Sequence, residues 1–178
     1  MASKILPTGK EVIFPARELI VSKTDLKGRI TYANRTFCRI AGYTEAELLG
    51  QPHSIIRHPD MPRAVFRLIW ETIAAGQEIF GYVTNMARSG DHYWVFAHVT
   101  PSFDNSGKII GYHSNRRAPD RGVIETAIVP LYAEVLRIEQ SQANGKDAVE
   151  AGYQALVDFV ASKKVSYDEL MFALQSAA

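Results

Sequence analysis

The chain has 178 residues, 47% of them hydrophobic, which supports a continuous core in one domain of ordinary size or one domain with an appendage. With 20 basic and 19 acidic residues the net charge is +1, so no overall field draws the protein to nucleic acid or to an anionic membrane. The single cysteine, Cys38, excludes an intrachain disulfide and a cysteine-based zinc cluster and fits a reducing compartment. The start, Met1 to Pro7, carries no long apolar run, and no later run approaches the ~18 apolar residues of a membrane span. These features predict a cytoplasmic protein.

In chain order, Leu19, Ile20, Val21 and Thr24 read as a strand. The turn residues Asp25-Leu26-Lys27-Gly28 follow, and Arg29-Ile30-Thr31-Tyr32 resumes a strand, which makes a hairpin. From Asn34 the period changes, with Phe37, Ile40 and Ala41 at helical spacing and Gly42 as a stop. Thr44-Glu45-Ala46-Glu47 reads as a capping box opening a second short helix. Val65, Phe66, Ile69, Trp70 and Ile73 form the apolar stripe of a longer helix that starts near Pro62 and ends near Gly76.

Three strands are predicted at roughly 79–88, 92–103 and 108–116, an antiparallel meander broken by Ser89-Gly90-Asp91 and Asp104-Asn105-Ser106-Gly107. Beyond Pro119-Asp120 the apolar residues recur at three and four, with Pro130 as an expected bend. Asn144-Gly145 interrupts, and helices follow around 153–161 and 167–174. The plan is α+β, a five-stranded antiparallel sheet with short helices on one face and a C-terminal helical appendage. Three segments are expected: an N-terminal extension over 1–17, an α+β domain over 18–118, and a helical region over 119–178 that is free to dock.

The polar segment between the short helices and the long one holds His53, Ser54, Arg57, His58 and Asp60, interleaved with Ile55 and Ile56. A plain exposed loop needs no such apolar pair, so the segment is expected to fold onto the core with some polar groups directed inward. No G-x-S-x-G elbow, Gly-rich phosphate loop or H-E-x-x-H motif is present, and the i, i+5 offset of His53 and His58 does not bring both imidazoles to one metal. The chain is therefore expected not to be an enzyme.

Tyr32-Ala33-Asn34-Arg35-Thr36-Phe37, Ala41-Gly42-Tyr43-Thr44 and Glu47-Leu48-Leu49-Gly50 resemble the PAS domain, a sensor module with a ligand pocket beneath its short helices. Gly50-Gln51-Pro52-His53, Arg57-His58-Pro59-Asp60-Met61-Pro62, Trp70, and Asn85 followed by Gly90-Asp91-His92-Tyr93-Trp94 resemble the sensory PAS domains of bacterial aerotaxis receptors. That resemblance implies noncovalent FAD and a redox or oxygen signal passed to the chemotaxis machinery, here to a transducer or other separate signalling protein. It also implies a homodimer and cofactor-binding residues among Asn34, His53, Arg57, His58, Asp60, Trp70, Asn85, Tyr93 and Arg116.

Flavin-binding LOV domains share the Asn85-to-Trp94 spacing, which implies a ring-binding role for Asn85. They carry a reactive cysteine where this chain has His53, so the thiol-adduct photocycle is excluded. Arg116 falls where they place a glutamine that responds to flavin state. Ile79 replaces a tryptophan of the aerotaxis family, and Val95 replaces a second ring-binding asparagine.

Several residues have a plainer role open to them. Asn85 suits the alternating donors and acceptors of a flavin pyrimidine edge, or it caps a strand end. Arg57 binds a pyrophosphate or holds Asp60 in a bidentate fork, and Asp60 contacts ligand or caps the helix after Pro62. His58 tunes a redox ring or supports the helix entry, Arg116 reports flavin state or ends a strand in solvent, and Trp70 belongs to the cavity or the core. A cofactor-free interaction module and a heme sensor using His53 or His58 remain the alternatives.

Overall fold

The computed structural model describes residues 5–176. Residues 1–4 of the expected N-terminal extension and residues 177–178 of the helical region lie outside the described residues. A hairpin of β1 (Ile20–Thr24) and β2 (Ile30–Ala33) leads into α1 (Arg35–Ala41) and α2 (Glu45–Leu48). A 3₁₀ turn (His53–Ile56) and α3 (Arg63–Ala74) follow, then β3 (Ile79–Met86), β4 (His92–Phe103) and β5 (Ile109–Arg117). The five strands form one antiparallel sheet in the order β2-β1-β5-β4-β3, the predicted hairpin and meander joined by the β1–β5 pairing.

Local chemistry sets the short helices. Asn34 caps α1 by accepting from the Phe37 N–H at 2.9 Å, and Gly42 ends it with a φ of 72°, a left-handed geometry that costs glycine little. The capping box at Thr44 and Glu47 is complete, as predicted. Phe37, Leu48 and Ile56, each fully buried, hold these elements on the inner face of the sheet, at ~1.5–3 kcal/mol for each such side chain. That face carries Ile20, Ser22 and Thr24 of β1 opposite Arg116, Ser114 and Tyr112 of β5, with Ala97 and Val99 of β4 beyond.

The C-terminal region continues as α4 (Arg121–Val123), a π-helical turn (Ile124–Ile128), α5 (Val129–Gln140), α6 (Gly145–Ser162) and α7 (Tyr167–Ser176). Pro130 was expected to bend a helix. It lies directly behind the π turn in a helical run unbroken from Arg121 to Gln140, and such a local irregularity accommodates its missing N–H. These helices close the β3 edge: Asp168 accepts from the Phe80 N–H at 3.0 Å, and the Tyr132 hydroxyl donates to the Tyr82 carbonyl at 2.6 Å. An edge strand so covered cannot recruit another strand. On the outer sheet face Phe172 packs on Phe80 and Phe96, and Trp94 faces Tyr132, so this chain's own helices cover the outward aromatics.

The N-terminus of α3 departs from expectation. Asp60, one candidate cap, is exposed, and the N-cap residue Pro62 makes no side-chain bond. The cap comes from α5: buried Glu139 accepts from the Arg63 and Ala64 N–H groups at 3.1 and 2.8 Å. Its carboxylate also meets the positive end of the helix dipole. Gly152 of α6 lets Glu139 fit, because a Cβ there would lie 2.6 Å from Glu139 Cγ. Glu139→Ala strands two buried amides and should cost about 2 kcal/mol, read as a lower urea midpoint at unchanged slope. Exposed Glu134→Ala should leave the midpoint nearly unchanged, and equal midpoints for the two variants would contradict the cap.

Candidate functional site

Between the inner sheet face and α3 lies a cavity of about 410 Å³, within the ~300–1,000 Å³ range of small-molecule sites. Apolar walls come from Phe66, Ile69 and Ile73 of α3 and from Val83, Ala97 and Val99 of the sheet. The charged lining residues are Lys27, Arg57 and Arg116, and no aspartate or glutamate lines the cavity.

Arg116 is 2% exposed and has no carboxylate partner among the described residues. Its Nη2 donates to Ser22 Oγ at 2.6 Å and its guanidinium lies 4.4 Å over the Phe37 ring, while Nε and Nη1 have no hydrogen-bond partner. Burial lowers its pKa to about 10, so the group stays charged at neutral pH. Ser22 Oγ also lies 3.1 Å from His53 Nε2, so the hydroxyl links the guanidinium to the imidazole. Burial, and then the Arg116 charge, lower the His53 pKa to about 3.

Asn85 is 4% exposed, and its Nδ2 also lacks a partner. Its backbone bridges to Arg57, which ties the 53–57 segment to β3. The Arg57 guanidinium lies 4.6 Å over the Phe66 ring rather than in a fork with Asp60. Trp70 is 39% exposed, so it belongs to the cavity wall and not to the core. Its ring meets Tyr112 edge-on at 5.4 Å and lies against Gly28, where a Cβ would stand 2.9 Å from Cη2.

The structure thus gathers His53, Arg57, Trp70, Asn85 and Arg116 around one cavity and leaves four other candidates outside its wall. Asn34 is occupied with backbone, its Oδ1 accepting from Val21 and Phe37 and its Nδ2 donating to the Leu19 carbonyl. His58 is buried on the far side of the loop, edge-on to His92 at 5.8 Å, with Nδ1 accepting from the Asp60 N–H. Asp60 is exposed. Tyr93 is fully buried beneath the wall, its hydroxyl unpartnered and its pKa raised by burial. Ile79, in place of the family tryptophan, is buried in the core and not part of the wall.

Ser22, Thr24 and Lys27 are wall residues the sequence reading did not single out. Alternate residues of a strand share a face, so Ser22 and Thr24 follow the apolar Ile20 inward, and that signal was present. A neutral His53 makes stability depend on pH. Its contribution is complete above the free-imidazole pKa of ~6.5 and is lost as the pH falls from there toward about 3, because the unfolded chain binds a proton that the fold refuses. Urea midpoints at pH 7 and pH 5 should therefore differ more for the native chain than for His53→Gln, and equal differences would contradict the buried neutral imidazole.

Comparison with known proteins agrees with this geometry. A family model described as PAS fold matches residues 30–116. The chain is 48% identical over 114 residues to the aerotaxis receptor of Escherichia coli K12, covering 64% of this chain and 22% of the receptor. It is 35% identical over 97 residues to the nitrogen fixation regulatory protein of Klebsiella pneumoniae, covering 54% of this chain and 20% of that protein. The match therefore spans about a fifth of either relative. The dark structure of the blue-light photoreceptor Aureochrome1 LOV superposes with a TM-score of 0.56 at 23% identity, over 65% of this chain and 86% of that one, which shows the shared fold. Residues 30–116 are a PAS domain.

Proposed function

We propose that this protein is a sensor that holds FAD noncovalently in the cavity between α3 and the sheet and reports its redox state, or oxygen, to the chemotaxis-type signalling machinery. The carrying observation is a cavity wall with three cationic side chains, no carboxylate, and unpartnered polar atoms on buried Arg116 and Asn85. A buried charge without a partner costs several kcal/mol, so an anionic occupant gives Arg116 what the chain itself does not supply. FAD suits this wall twice, offering a pyrophosphate to Lys27 or Arg57 and a ring edge of alternating acceptors and a donor to Asn85.

When bound, a flavin supplies reversible electron transfer. The chain's part is to hold and shield it: Phe66, Ile69 and Ile73 exclude water, Trp70 narrows one side of the cavity, and Asn85 and Arg116 meet its polar atoms. The aerotaxis receptor and the nitrogen fixation regulatory protein carry sensory or regulatory names, in keeping with a signalling role. The C-terminal helices are the output, docking on a transducer or on a second copy of the chain. No helix among the described residues is long and apolar enough to cross a membrane, consistent with a cytoplasmic setting. A cofactor-free interaction module fits less well, because it leaves Arg116 uncompensated.

Titrating the protein with FAD, followed by quenching of flavin fluorescence, tests this assignment. Asn85→Ala and Arg116→Gln should each weaken binding about tenfold or more, each having lost a buried polar contact. Unchanged affinity in both variants would place the flavin elsewhere.

A further inference from the structure

Arg57 lines two cavities at once. One is the candidate ligand cavity, and the other, also about 410 Å³, lies where the 57–63 loop meets the C-terminal helices and is walled in part by Arg57, Met61, Arg63, Leu136 and Glu139. Glu139 is 5% exposed and bonded to the first amides of α3, with no ion-pair partner among the described residues. Arg57 and Arg63 are the cations that share its cavity. Burial lowers the Arg57 pKa and Arg63 adds to that, whereas Glu139 opposes both, so the carboxylate attracts the guanidinium charge. Arg57 is also fixed to the ligand side, by its bridge to Asn85 and its stacking on Phe66.

We propose that Arg57 and Glu139 form a charge couple through which an anionic ligand in the first cavity loosens the docking of α5, α6 and α7 on α3. The proposal rests on reading that cavity as the ligand site. A ligand anion that draws the Arg57 charge toward itself takes it from Glu139. The buried carboxylate then keeps its two amide donors and only the exposed Arg63 as a cation in its cavity, and burying it costs more. Glu139 joins α5 to α3 and presses on Gly152 of α6, so that cost falls on the docked helices. By reciprocity, loosened helices free Arg57 for the ligand and tighten binding. Glu139 is thus a positioning residue that acts through Arg57. Were it only a cap for α3, removing its charge would weaken α3 and with it the ligand site.

A double-mutant cycle on the full chain without ligand tests the couple, read as amide hydrogen exchange across α5, α6 and α7. Arg57→Gln and Glu139→Gln should each reduce protection about tenfold, and the double variant should lose clearly less than the product of the two. Strict additivity overturns the couple. Adding FAD to the native chain should speed exchange in these helices, and Glu139→Gln should bind FAD several-fold more tightly. FAD that binds without altering their exchange, or that binds Glu139→Gln more weakly, overturns the proposal. A non-additive cycle in a protein that takes up no FAD upholds the couple and overturns the flavin reading instead. If Glu139→Gln does not fold, Gly152→Ala takes its place, since its Cβ displaces the carboxylate without changing any charge.

Discussion

A guanidinium buried without a carboxylate is the constraint from which the rest of the site follows. Arg116 is held by Ser22 and the Phe37 ring, and both supports come from elements the sequence marks plainly, β1 and the first short helix. Burial, with the Arg116 charge adding to it, keeps His53 neutral, and Ser22 links the two side chains. A sheet face bearing such a group is poorly suited to a dry apolar core. It is well suited to a cavity whose occupant brings negative charge, and a cavity is what lies over it.

The helix over that cavity is held from two directions. From inside, Phe66, Ile69 and Ile73 wall the site; from outside, Glu139 caps its first turn and Arg67 reaches α6, with an ion pair to Glu150 at 2.6 Å and its guanidinium 4.2 Å over the Tyr153 ring. The exposed ion pair contributes little by itself. The buried cap contributes more, because its loss strands donors that have no other partner. With the β3 edge and the outer aromatics also covered, the C-terminal helices are packed onto both the sheet and the helix that walls the cavity, so a change at the wall has a physical route to them.

Much of this was legible in the chain. The capping box and Gly42 set the short helices, and turn chemistry marked the hairpin and the meander. Short-range patterns of this kind depend on neighbours within a few residues. The loop between the short helices and α3 was harder: Arg57 and His58 are adjacent, yet one lines the cavity and the other packs against His92, and only the bridge to Asn85 decides which side each faces. Glu139 was out of reach altogether. It caps amides 75 and 76 positions earlier, and nothing in α5 distinguishes it from the solvated glutamates nearby.

The central claim is that a flavin occupies the cavity walled by Asn85 and Arg116. The visible absorption spectrum of the full chain, reconstituted with FAD and freed of excess, tests it most directly. The account predicts the paired bands of an oxidised flavin, bleached by dithionite, in the native chain and their depletion in Asn85→Ala. A native chain that stays colourless after reconstitution, or that shows the Soret band of a heme, would contradict it.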